Sequence, residues 1–221
     1  MKRRVTAELL DDDLGTAEEI AASLHDLRHI NNWFGGTTTT TTLLRRVAEH
    51  VETSRLSVLE VGSGLGDVPL GARRNLAETG IELQVTLLDR HWSHLPGNGV
   101  LGVSADARRL PYRDHAFDVV ACSLFAHHFE PAVLPLIVSE ALRVSRRAVL
   151  INDLIRSRLH LLLVYLGLPL FRSRLTWHDA PASVRRAYTI DEMRSMLAEV
   201  PASRIDISRH FLFRMGVLIW K

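Results

Sequence analysis

The stretch Val58-Leu59-Glu60-Val61-Gly62-Ser63-Gly64-Leu65-Gly66 reads as an apolar strand running into a glycine-rich turn. Glycines serve in such a turn because the backbone must reverse sharply and admit a ligand without a Cβ in the way. The spacing is G-x-G-x-G, and the third glycine of a dinucleotide loop is replaced by Asp67. Glu60, just inside the strand end, can meet a cationic group and would be unwelcome beside a pyrophosphate. Asp89 ends the next strand-like run, Leu87-Leu88-Asp89, where a carboxylate can accept from both hydroxyls of a ribose. Asp106, in Ser104-Ala105-Asp106-Ala107, can accept from an exocyclic adenine amine. Each Asp taken alone also reads as a turn residue; their order and spacing argue for a shared site.

A second group of candidates follows. His127-His128 comes after the run Phe117-Asp118-Val119-Val120, and imidazole is the side chain suited to proton transfer near neutral pH. One of the rings could instead cap or pack on the following helix. Adjacent positions do not place both rings on one metal and no third ligand follows, so no metal site is expected. Asp153 could bind a hydroxyl or cap the next helix, with the cap slightly favoured. Cys122 has no neighbouring base and reads as a small buried residue.

These residues must be positioned by alternating short apolar runs and helical stretches. Strands are expected over 56–61, 83–88, 100–104, 117–121 and 148–151, with helices over 66–78 and 131–144. Unbroken apolar strands alternating with helices imply a parallel sheet covered on both faces, with ligands beyond the strands' carboxyl ends. Two further strands, 204–207 and 211–220, have no helix between them and should pair antiparallel at the sheet edge. Ahead of the sheet, Thr16 and Glu19 form a capping box for a helix carrying Ile20, Leu24 and Leu27 on one face and ending near Asn31. A second helix should begin at Leu43. The six threonines Thr37 to Thr42 between them favour neither helix interior nor tight turn.

On these residues the sequence resembles the class I S-adenosylmethionine-dependent methyltransferases, in the small-molecule branch that includes quinone-biosynthesis enzymes. The resemblance covers 56–155 and, more weakly, the rest. It implies an α/β fold: a Rossmann-like, doubly wound, seven-stranded and mostly parallel sheet with an antiparallel C-terminal edge hairpin, N-terminal helices and an α-helical lid after the fifth strand. It implies S-adenosyl-L-methionine as cofactor, with Glu60 near the methionine amine. Gly62, Ser63, Gly64 and Gly66 would wrap methionine and ribose, Asp89 and Arg90 would lie at the ribose, Asp106 and Ala107 at adenine, and Ser123 near the cofactor. His127 and His128 would form the catalytic lip between cofactor and acceptor. The family's Pro-Gly-Gly turn before the fifth strand is replaced by Ser145-Arg146-Arg147.

A single methyltransferase domain spanning 1–221 is expected: an N-terminal cover (1–53), a cofactor-binding core (54–155), a lid insertion (156–189), and a last helix with the C-terminal strand pair (190–221). The lid contains the apolar run Leu159 to Phe171, suited to a lipophilic or aromatic acceptor methylated at O or C. Arg156, Arg158, Arg172 and Arg174 around it suggest peripheral membrane contact through 156–174 as the alternative to a buried lid helix. Asp153, His178 and Tyr188 are further substrate candidates, and Trp33 a candidate for closing over the cofactor.

Composition narrows the alternatives. Lys2 and Lys221 are the only lysines among 27 basic residues; against 25 acidic residues the net charge is +2, and the arginine pairs are scattered without interleaved aromatics. A nucleic-acid partner is therefore disfavoured. The single cysteine excludes an internal disulfide, and the opening residues, with Asp11-Asp12-Asp13, do not resemble a leader; a cytoplasmic enzyme is expected. The rivals are a non-catalytic methyltransferase-like partner and an NAD-dependent reductase, the latter disfavoured by Asp67 and Asp106.

Overall fold

The computed structural model describes residues 1–96 and 99–221. Seven strands, β1 (Arg55–Val61), β2 (Glu82–Asp89), β3 (Leu101–Ser104), β4 (Phe117–Ser123), β5 (Ser145–Leu154), β6 (Arg204–His210) and β7 (Arg214–Trp220), form one sheet in the order β3-β2-β1-β4-β5-β7-β6. β1 to β5 run parallel, and β7 lies antiparallel between β5 and β6. The short connection from β6 to β7 leaves room for no crossover helix, so the antiparallel pairing expected from the sequence is the one it permits. The strand order reverses direction between β1 and β4, which opens a crevice at the carboxyl edge.

Both faces of the sheet are covered. Leu59, Val61, Val120, Val149 and Ile151 pack one face against α4 (Leu134–Val144) and α7 (Ile190–Leu197). Val58, Leu87, Val119 and Leu150 pack the other against α2 (Gly36–His50) and α3 (Asp67–Ala77). The alternation of Val58 with Leu59 between the two clusters follows from the two-residue period of a strand. α1 (Ala17–Trp33) opens on the expected box: Glu19 N donates to Thr16 Oγ1 at 3.3 Å and Thr16 N to Glu19 Oε2 at 2.9 Å.

Two local expectations are corrected. The six threonines are helical, forming the first turns of α2 in place of a connection before it. Thr39, Thr40 and Thr41 are buried, and Thr41 and Thr42 return their hydroxyls to the carbonyls of Thr37 and Thr38 at 2.8 and 2.9 Å. The weak helix propensity of threonine is overridden by tertiary bonds: Asn152 Nδ2 donates to Gly36 O at 2.7 Å and to Thr40 Oγ1 at 2.9 Å. Small β-branched residues also let α2 sit close, since a Cβ on Gly71 of α3 would fall 2.6 Å from Thr37. Ser145-Arg146-Arg147, expected as a turn, already belongs to β5; Ser145 pairs with Phe117.

Candidate functional site

Beyond the carboxyl ends of β1, β2, β3 and β4 lies a cavity of about 620 Å³, closed from above by the segment 7–12, α1, α5 (Arg158–Gly167) and α6 (Arg174–Arg186). Its size suits a cofactor and a small acceptor together. The glycine turn forms its floor. Gly62 has φ +66°, and a Cβ there would meet the Phe125 ring at 2.3 Å. Gly64, at φ +49°, has open space where its Cβ would be, and its N–H donates to Asp89 Oδ2 at 2.8 Å. Gly66 caps α3 at φ +71° and packs on Leu87; it shapes the turn without lining the cavity.

Glu60 is 1% exposed, and its Oε2 has no hydrogen-bond partner, as is true of Ser123 Oγ beside it. Burial pushes its carboxyl up to about 7, opposed only in part by the Ser123 hydroxyl. An orphaned acceptor at a cavity wall is a site awaiting a donor, and an ammonium group satisfies both its hydrogen bonding and its charge. Asp89 is held by the N–H groups of Gly64 and of His91, the latter at 3.1 Å. Arg90 is exposed and donates to Asp11 O at 3.0 Å, tying the N-terminal segment to the edge of the cavity. Asp106 forms the turn after β3, accepting from Arg108 N at 2.9 Å, and lines the cavity with Ala107.

The histidine pair stands at the exit of β4 beside the segment 7–12. His127 is 1% exposed; its Nδ1 lies 2.6 Å from Asp153 Oδ1, and its Nε2 faces Glu8 Oε1 at 3.5 Å. His128 Nδ1 lies 2.9 Å from Asp11 Oδ2, and its Nε2 is 3.9 Å from Glu8 Oε2. Burial alone would lower the pKa of His127, but the charge and hydrogen bond of Asp153, with Glu8, outweigh it and lift the ring to about 10. The same rings hold the Glu8 and Asp11 carboxyls below their ordinary values against the opposing effect of burial. An imidazolium of that pKa is a poor proton acceptor at neutral pH.

The structure brings together Glu60, Gly62, Ser63, Gly64, Asp89, Arg90, Asp106, Ala107, Ser123, His127 and His128 on one cavity. It does not bring the other substrate candidates there. Trp33 is 60% exposed and leans on His29, while Ile30, Asn31 and Phe34 turn inward from the same stretch. His178 is exposed and bound to Asp179 Oδ1 at 2.8 Å; it is Asp179 that faces inward. Tyr188 is buried in the core, donating to Phe129 O at 2.6 Å. Asp153 lies behind His127 as its partner and caps nothing, since α5 is capped by Ser157, whose Oγ accepts from His160 N at 3.0 Å. Arg156 is likewise buried, bonded to Ala187 O at 2.7 Å and Glu192 at 2.5 Å, so it belongs to the scaffold and to no membrane-facing surface.

Several lining residues carry no local signature. Glu8 and Asp11 sit in a stretch whose acids were informative only in arguing against a leader. Arg186 is 12% exposed at its side chain and reaches His128 O at 2.7 Å and Asp11 Oδ2 at 3.3 Å. Arg214 is 1% exposed; Nη2 donates to Asn31 Oδ1 at 3.0 Å and Nη1 has no partner. A buried cation with an unmet donor on the cavity wall fits a carboxylate or phosphate.

Comparison with known proteins agrees with this geometry. Residues 59–151 match the methyltransferase domain family. Over 168 residues, 72% of this chain and 80% of the relative, the sequence is 34% identical to a phosphatidylethanolamine N-methyltransferase of Cereibacter sphaeroides. Among solved structures, the plantazolicin methyltransferase superposes with a TM-score of 0.66 at 16% identity, covering 90% of this chain and 75% of that one. Magnesium protoporphyrin IX methyltransferase from Synechocystis, crystallised with its cofactor, gives 0.52 at 12% identity over 85% and 80% of the two chains. These structural likenesses speak to the fold; with the glycine turn, the orphaned Glu60 and the Asp89 carboxylate on one cavity, and with the sequence relative, they place the chain in the class I S-adenosyl-L-methionine-dependent methyltransferases, of the type 11 branch.

Proposed function

We propose that this methyltransferase acts on a lipophilic small molecule whose polar head is presented to Glu8 and the histidine pair. The cofactor's roles divide as the family resemblance implies: Glu60 receives the methionine ammonium, Asp89 the ribose, Asp106 and Ala107 the adenine. Residues 1–53 and 156–189 act as covers over the 54–155 core. Methyl transfer is an in-line displacement in which the bond from sulfur to carbon breaks as the acceptor's lone pair forms the new one. The protein contributes alignment and the exclusion of water.

The observation that carries the acceptor class is the make-up of the cavity wall. Leu24, Leu27, Ile30, Phe34, Leu163 and Phe171 give it apolar lining, and Glu8, Asp11, Asp12 and Asp179 give it carboxylates, with Arg186 and Arg214 also on the wall. An amphiphile with an amine head suits that lining, and the Cereibacter sphaeroides relative, a phosphatidylethanolamine N-methyltransferase, lies in the same direction. Acceptors methylated at O or C, expected from the sequence, are the second reading; a carboxylate at the lip can also take the proton of a phenol.

The lid supports a membrane-borne acceptor. α5 and the turn after it expose Leu159, Leu162, Leu166 and Leu170 at 54–69%, with Arg158 and Arg172 at the two ends. Among the described residues no helix is long and apolar enough to cross a membrane, so the contact would be peripheral. The test is transfer of labelled methyl from the cofactor to phosphatidylethanolamine vesicles, long-chain amines, phenols and quinols, with product masses determined. Turnover of amine-headed lipids alone supports the first reading, turnover of phenols or quinols the second. Turnover only of short polar acceptors overturns both.

A further inference from the structure

The two imidazoles at the lip are oriented in the same way. His127 Nδ1 is held by Asp153 at 2.6 Å and His128 Nδ1 by Asp11 at 2.9 Å, so both Nε2 atoms are turned toward the carboxylate of Glu8. The ring centroids are 4.3 Å apart. A carboxylate behind each ring, fixing its orientation, is the arrangement that accompanies histidine ligands of metal ions.

The distances facing Glu8 are long for hydrogen bonds and close to those that separate ligands of one ion. His127 Nε2 to Oε1 is 3.5 Å and His128 Nε2 to Oε2 is 3.9 Å, beyond good N–H···O geometry. Ligand atoms around a tetrahedral ion with bonds of about 2.0–2.1 Å stand about 3.3 Å apart. One ligand atom from each of Glu8, His127 and His128 lies within 4.8 Å of the other two. In the same group, Glu8 Oε1 and His127 Nε2 are buried without any hydrogen-bond partner. Glu8 is held in place independently: Ser183 Oγ donates to Oε2 at 2.8 Å, and Leu9 N and Leu10 N donate to Asp179 at 2.8 and 3.0 Å. Arg186 stands 3.8 Å from Glu8 Oε1, too far to satisfy it.

We propose that Glu8, His127 and His128 bind a divalent transition-metal ion of the zinc or iron(II) class, through both Nε2 atoms and the Glu8 carboxylate, with its remaining positions open to the cavity; His127 releases its Nε2 proton to solvent as the ion binds. Two imidazoles and one carboxylate form the donor set such ions favour over magnesium or calcium. The sequence argument against a metal fails because its third ligand comes from a segment more than a hundred residues earlier, and because Asp153 and Asp11, each holding an Nδ1, turn both rings the same way. The ion's use in catalysis, which would be to bind a hydroxyl oxygen of the acceptor and lower its pKa so that the proton passes to solvent water and a lone pair stays free for the methyl, rests on the second, O-acceptor reading above; its binding does not.

The full chain, freed of any affinity tag and treated with chelator, is titrated calorimetrically with Zn²⁺, Mn²⁺, anaerobic Fe²⁺ and Mg²⁺ alone, and the visible spectrum of its Co²⁺ form is recorded. One saturable equivalent of Zn²⁺ or Fe²⁺, with Mg²⁺ at least tenfold weaker, supports the site. Glu8→Gln and His128→Asn should each abolish that equivalent, and Asp11→Asn, at a more exposed position, should weaken it about 10–100-fold. Circular dichroism and binding of S-adenosylhomocysteine verify that each variant is folded. Absence of a saturable equivalent, or undiminished affinity in Glu8→Gln and His128→Asn, overturns the proposal. A metal equivalent in an enzyme that turns over no lipophilic acceptor retains the site and discards the acceptor reading.

Discussion

Asp153 Oδ1 lies 2.6 Å from His127 Nδ1, and Asp153 Oδ2 accepts the His127 backbone N–H at 2.9 Å, so the exit of β5 grips the exit of β4 through one side chain. The carboxylate, 1% exposed, is held below its ordinary pKa against the effect of burial by the imidazolium and by the N–H groups of His127 and Leu154. This clamp fixes the lip of the cavity from behind.

Replacing His127 and His128 together by alanine should lower turnover more than cofactor affinity, because the rings stand at the lip and Glu60 and Asp89 are the residues proposed to hold the cofactor. Single-turnover rates beside calorimetric affinities decide it; equal losses in both would reduce the pair to packing.

Asp89→Ala removes the carboxylate proposed to hold the ribose and leaves Gly64 N–H without its partner. A loss of about 10–100-fold in S-adenosylhomocysteine affinity is expected from an unpaired, partly buried donor and a lost charged hydrogen bond. Calorimetric titration measures it, and unchanged affinity removes Asp89 from the cofactor site.

The raised carboxyl of Glu60 makes cofactor binding depend on pH. With a folded-state pKa of about 7 against an ordinary 4.5, Glu60 destabilises the ligand-free fold progressively as pH rises from about 4.5 to 7. Binding an ammonium requires the charged form, so affinity should fall toward about tenfold per pH unit below pH 7 and level off above it. Glu60→Gln should bind weakly at every pH. A flat affinity profile for the native chain between pH 5.5 and about 8 would contradict the assignment.

The threonine run should be sensitive from the strand it leans on. Asn152→Ala leaves Gly36 O and Thr40 Oγ1 without their shared donor in a buried site, a loss of about 1–3 kcal/mol in urea unfolding. Thr42→Ala, at an exposed position of the same helix, should cost little or gain slightly, because alanine is the better helix former.

Leu162 and Leu166 are 54% and 69% exposed. Leu162→Asp with Leu166→Asp should leave thermal stability within about 0.5 kcal/mol, as surface changes do, while reducing sedimentation with anionic vesicles severalfold. Equal sedimentation of variant and native chain would detach the lid from any membrane role.

The floor of the cavity was legible because it is local. Gly62, Gly64 and Glu60 occupy one strand end, and Asp89 and Asp106 recur at the exits of the next two strands, so order along the chain already implies nearness at a sheet edge. The helical insertion after β5 was legible in position but not in surface: His178 lies within it and Tyr188 at its end, yet Tyr188 turns into the core and His178 into solvent. Arg156 looked like a membrane residue and is buried, because Glu192 and the Ala187 carbonyl provide its partners from α7 and the end of α6.

By itself the sequence determined the alternating α/β architecture, the antiparallel final pair and the cofactor's edge, since each follows from periodicity, turn chemistry and short-range spacing. The tertiary structure alone decided the helical state of Thr37 to Thr42 and the meeting of Glu8 with His127 and His128. Those depend on contacts between segments far apart in the chain. Burial and hydrogen bonding there outweigh local propensity, and no spacing in the sequence records which distant side chain will satisfy a buried polar atom.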